Sequence, residues 1–91
     1  MKKEIFTRKK IIQLLKLLSQ ELEKRDLKGE ILIVGGSAMV IAFKARIATK
    51  DVDAIFEPKS KIYDISKKIA TNQDLPEDWL NDAVKKTVGV R

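Results

Sequence analysis

Two short stretches carry residue types at spacings that suit chemistry. The first is Gly35-Gly36-Ser37, between an apolar β-branched run and an apolar segment with helical spacing. Glycine permits positive φ and lets a ligand approach the main chain closely. The amides that open the following helix point into that space and favour an anion such as phosphate. By itself the same triplet makes a tight turn with a serine cap. It is neither a P-loop, which needs Gly-Lys-Ser/Thr, nor the Gly-x-Gly-x-x-Gly dinucleotide fingerprint. The second stretch is Asp51-Val52-Asp53, at the start of a predicted strand. Residues i and i+2 of a strand share a face, with Cα atoms about 6–7 Å apart. Two carboxylates this close call for a cation or a shared proton. Mg²⁺ answers that need, since it takes oxygen ligands from one or two carboxylates plus substrate phosphates. By themselves the two acids are a solvated pair at a strand edge, balanced by Lys50 or Arg46. Together, on consecutive strands joined by one helix, turn and acids suit a nucleoside triphosphate with metal bridging phosphate and carboxylate.

The rest of the composition narrows the field. There is no cysteine and no histidine in the 91 residues. Disulfides, thiolate or imidazole metal sites, cysteine nucleophiles and serine–histidine triads are therefore excluded. Ser37 has no base beside it in sequence, so it is not read as a covalent nucleophile. Hydrophobic residues make up 44% of the chain, enough for one packed core and too many for a disordered tail. The net charge of +6 points to a polyanionic partner. Fifteen of the 19 basic residues are lysine, the usual solvated coat of a small protein. Lys2, Lys3, Arg8, Lys9 and Lys10 crowd the N-terminus without the interleaved aromatics of a base-stacking surface. No stretch reads as a membrane span or a signal peptide, so a cytoplasmic location is the default expectation.

The elements that must position the site follow from periodicity. Ile11, Leu14, Leu15, Leu18 and Leu22 form an apolar stripe, widened by Ile12 and Leu17, and predict a helix over 7–26. Thr7 is its expected N-cap, Phe6 and Ile11 its staple, and Gly29 its stop. Glu30–Val34 reads as a buried strand. A short helix from Ser37 to Phe43 or Lys44 follows, with Ala38, Val40, Ile41 and Ala42 inward. Asp51–Glu57 is a second strand closed by Pro58. Ile62, Ile65 and Ile69 mark a helix over about 60–72, with Tyr63 half-buried on it. Pro76, Glu77 and Asp78 predict a last helix carrying Trp79, Leu80, Ala83 and Val84, with Gly89 just past its end. Trp79 is expected to anchor a core or an interface. The order α-β-α-β-α-α makes an α/β (α+β) domain over 1–91 with only two strands. An unfinished sheet of that kind predicts self-association into a homo-oligomer.

Val34-Gly35-Gly36-Ser37, thirteen residues, then Asp51-Val52-Asp53 resembles the signature of the DNA polymerase β-like nucleotidyltransferase superfamily. Arg46-Ile47-Ala48-Thr49-Lys50 looks like the Arg-x-x-Thr-Lys/Arg stretch of small prokaryotic members related to abortive-infection toxins. Leu75 to Ala83 is similar to a segment that follows in those families. The resemblance implies a minimal or truncated nucleotidyltransferase fold. It implies triphosphate contacts from Gly36 and Ser37, with Gly35 in the same phosphate-binding turn, and two Mg²⁺ ions held by Asp51 and Asp53. It also implies transfer of a nucleoside monophosphate from a triphosphate such as ATP to an acceptor hydroxyl. Arg46 and Lys50 are candidate phosphate contacts. The family completes its metal site with a third carboxylate from a later strand. Asp64, Asp74, Asp78 and Asp82 all fall in or beside predicted helices, so none is expected to fill that role, and the domain is expected to be incomplete at its C-terminus. The alternatives are a nucleotidyltransferase-fold module that binds a nucleotide, or a protein partner as in toxin–antitoxin pairs, without turnover, and a basic nucleic-acid binder with no metal site.

Overall fold

A computed structural model of the chain describes residues 5–43 and 48–84, without the side chain of Phe43. The first long element, helix α1 (Arg8–Lys24), forms where the stripe requires it, and Ile11, Leu14, Leu18 and Leu22 are buried along one side. Thr7 Oγ1 accepts the Lys10 amide at 3.2 Å, which makes it the N-cap. Phe6 and Ile11 are both fully buried beneath that cap, as a staple requires. The helix does not stop at Gly29. Asp26 takes the left-handed conformation, φ 54°, and the Asp26 and Leu27 amides return to the carbonyls of Glu23 and Leu22. Aspartate tolerates that conformation better than most side chains. Gly29 serves packing instead: a Cβ there would lie 3.0 Å from Leu22 Cδ1 and 3.3 Å from Ile62 Cδ1.

Strand β2 (Glu30–Val34) runs antiparallel to β4 (Val52–Glu57), with Val34 opposite Asp53 and Glu30 opposite Glu57. Two further two-residue strands, β1 (Phe6–Thr7) and β3 (Ala48–Thr49), pair antiparallel and tie the start of α1 to the segment before the acids. Between β2 and β3, helix α2 (Gly35–Ala38) continues as a π-helical turn over Met39–Phe43. It starts two residues before Ser37, so Ser37 lies inside the helix rather than capping it. Val40 is buried there as expected, whereas Ala42 is exposed. Lys44 lies outside the described residues.

Helix α3 (Lys59–Gln73) buries Ile62, Ile65 and Ile69. Those isoleucines, the α1 stripe, and Val52, Ala54 and Phe56 of β4 join in one core cluster. Tyr63 packs edge-on against Phe56 with ring centroids 5.2 Å apart. The alternation along β4 leaves Asp53, Ile55 and Glu57 on the opposite face of the sheet.

The largest departure from expectation comes after α3. Residues 80–82 form a strand, β5 (Leu80–Asp82), parallel to β4, where a helix is predicted. The sheet is therefore three-stranded, in the order β2-β4-β5. Gly89, the expected end of that helix, lies outside the described residues. The result is a small α+β domain, a class compatible with a minimal nucleotidyltransferase-like fold. Among the described residues, no helix is long and apolar enough to cross a membrane.

Candidate functional site

Strand pairing brings the glycine turn to the acids. Val34 is the last residue of β2 and lies directly across from Asp53, so the chain turns into α2 beside the carboxylate. Gly35 makes that turn at φ +64°. The left-handed conformation favours glycine here, and a Cβ on Gly35 would stand 3.1 Å from Asp53 Oδ2, so the carboxylate would have to give by a few tenths of an ångström. Gly35→Ala is expected to destabilise the fold by about 1–2 kcal/mol from the left-handed conformation alone. It would also push the Asp53 carboxylate aside. Chemical denaturation reads the loss of stability.

Ser37 is fully buried. Its hydroxyl donates to the Val34 carbonyl at 2.8 Å, lies 3.3 Å from the Asp53 carbonyl, and accepts the Asp53 amide at 3.3 Å. Ser37 thus braces the helix start against the backbone of Asp53. A phosphate at this turn would meet main-chain amides rather than this hydroxyl. Asp53 is half-buried on the sheet face away from the core, and Asp51, also half-buried, stands in a bend just before β4 begins. Lys50 beside it is exposed, and Arg46 lies outside the described residues. The N-terminal end of α1 meets the π-helical turn, where Arg8 Nε donates to the Ile41 carbonyl at 3.4 Å.

The third carboxylate takes an unexpected form. Asp82 does sit in a strand next to β4, contrary to the helical reading of its segment. Its register, however, sets it opposite Ala54, on the core side of the sheet. There it is 6% exposed, Oδ2 lies 3.1 Å from Lys59 Nζ, and Oδ1 accepts the Val84 amide at 3.0 Å. The residue opposite Asp53 is Asn81. Nothing in the sequence marks Asn81, because a three-residue strand shows too little alternation to be seen. Among the described residues no three acids gather into a metal-binding group. Asp53 is a hard oxygen donor beside the Gly35 turn, and Asp51 stands two residues before it in the bend that leads into β4. That donor set fits Mg²⁺ when substrate oxygens and water complete its octahedron.

A glycine turn packed against Asp53 in a small α+β domain is compatible with a minimal nucleotidyltransferase-like fold. The chain belongs to the DUF6036 family, described as a nucleotidyltransferase of unknown function, whose family profile matches residues 9–89. No curated protein and no solved structure shows significant similarity to the chain.

Proposed function

We propose that the protein transfers a nucleoside monophosphate from a nucleoside triphosphate to an acceptor hydroxyl in a Mg²⁺-dependent reaction. The observation that supports this reading is the closeness of the Gly35 turn to Asp53, whose Oδ2 lies 3.1 Å from where a Gly35 Cβ would stand. In it, the amides of Gly35, Gly36 and Ser37 receive the phosphates, and Asp51 and Asp53 hold the cation. When bound, Mg²⁺ offsets negative charge on the phosphates and on the departing pyrophosphate. The acceptor oxygen forms a bond to the α-phosphorus as the bond to the β-phosphate bridging oxygen breaks, and the hydroxyl proton passes to water. Lys50 sits beside the acids as a cation for phosphate. Arg8, Lys9 and Lys16 share one side of α1 with Ile12, Gln13, Leu17 and Gln20, and in this reading their charge favours a polyanionic acceptor although the side itself is largely apolar.

The test is direct. Full-length protein is incubated with each α-labelled nucleoside triphosphate, Mg²⁺, and RNA or protein acceptors, with a chelator as control. Label transfer with pyrophosphate release, abolished by the chelator, is the expected result. No transfer together with no Mg²⁺-dependent rise in melting temperature for any nucleotide overturns it. One observation favours a second reading: the acid of β5 is turned to Lys59, and the residue in register with Asp53 is an asparagine, Asn81. A module that binds nucleotide or a toxin–antitoxin-type protein partner without turnover would show stabilisation and no pyrophosphate.

A further inference from the structure

The sheet register bears on the composition of the site itself. Parallel neighbours in a sheet project their side chains to the same face, with strands about 4.8 Å apart. Asn81 is paired with Asp53 and is half-buried, between Leu80 and Asp82, which are both buried on the core side. A shift of one residue would exchange Asn81 and Asp82 between faces. Trp79 prevents that shift. Its carbonyl accepts the Val52 amide at 2.8 Å and its indole donates to the Ser66 carbonyl at 2.8 Å, which fixes where β5 begins.

We propose that Asn81 is the third side chain of the site, turning a neutral amide oxygen toward the cation held by Asp51 and Asp53. This rests on the reading of the acidic pair given above. An amide oxygen is a hard donor of the kind that Mg²⁺ and Ca²⁺ accept, but it adds no charge and takes up no proton near neutrality. The site therefore gathers two negative charges where three carboxylates would gather three. It suits a single ion carried in with the nucleotide, and Asn81 supplies no base for the acceptor hydroxyl.

The experiment measures Mn²⁺ binding by electron paramagnetic resonance, with Mn²⁺ alone and with Mn²⁺ plus a non-hydrolysable triphosphate analogue, so that turnover is not needed. Asn81→Asp is expected to tighten Mn²⁺ binding about tenfold or more, because ligand charge sets affinity in such sites. Adding Asp53→Asn to that variant is expected to remove the gain. Asn81→Ala is expected to weaken binding several-fold, and it decides the matter should Asn81→Asp fail to fold. Affinity in the tested Asn81 variant equal to that of the unaltered protein, while Asp53→Asn still weakens binding, overturns the role of Asn81 and leaves the acidic pair standing. Binding unchanged by both Asp51→Asn and Asp53→Asn overturns the pair and the inference with it.

Discussion

Asp53→Asn is expected to abolish Mg²⁺-dependent nucleotide binding and to lower any transfer rate by about 10²–10³-fold, the size seen when one charge-stabilising group is lost from an active site. The substitution is nearly isosteric, so the amide can occupy the space beside Gly35 that the carboxylate now fills, 3.1 Å from where a Cβ would stand. The backbone brace through Ser37 is untouched, because it uses the Asp53 amide and carbonyl. What is removed is the negative charge of Asp53. Binding is read most simply from melting temperature. At a ligand concentration ten times Kd, binding contributes about 1.4 kcal/mol, or roughly 6–11 °C in a domain of this size. The unaltered protein should show that rise only with Mg²⁺ and triphosphate together. Asp53→Asn should show none, while its far-ultraviolet circular dichroism stays the same. A variant that keeps the whole rise would dissociate the acids from nucleotide binding.

The parts of this site that are legible in the sequence owe it to strong local signals. Two glycines after a β-branched run leave little choice but a turn, whereas Asp51, expected as the first residue of the strand, lies in the bend just before it. The α1 stripe is equally plain, because Ile11, Leu14, Leu18 and Leu22 sit at helical spacing and all are buried. Strand β4 alternates as read, with Val52, Ala54 and Phe56 inward. What the sequence obscures is decided by distant partners. Pro76-Glu77-Asp78 carries every local sign of a helix start, yet the Val52 amide reaches the Trp79 carbonyl and draws the next three residues into the sheet. Local propensity is worth a few tenths of a kcal/mol per residue, less than completing a buried sheet edge. The same applies to Ser37. Its type suggests a cap or a phosphate ligand, but the packing of α2 on β4 turns its hydroxyl inward to Val34 and Asp53. Gly29 reads as a helix stop, but Asp26 reaches the left-handed conformation first.

Trp79→Ala is expected to remove about 3–5 kcal/mol of stability, the usual result of deleting a fully buried large aromatic side chain. A domain of this length holds roughly 5–14 kcal/mol in all, so the variant is brought close to unfolding at ambient temperature. The cost has identifiable parts. The indole is 1% exposed, its ring centroid lies 6.4 Å from that of Phe6, and both belong to the single core cluster. Truncation opens a cavity between the β1 end of the chain and α3. It also leaves the buried Ser66 carbonyl without the indole N–H that it accepts at 2.8 Å. Trp79→Phe refills most of the volume but not that hydrogen bond, so its expected cost is smaller, about 1–3 kcal/mol. Urea denaturation separates the two variants. The functional consequence follows from the neighbouring residues: Trp79 sets the start of β5, and that start decides whether Asn81 or Asp82 shares a face with Asp53. Trp79→Phe should therefore weaken Mn²⁺ binding more than Leu14→Ala on α1, which costs at least as much stability, about 2–5 kcal/mol, and packs in the same core but does not hold β5 in register. Equal losses of binding from the two would mean that overall stability, rather than the register of the third strand, governs the site.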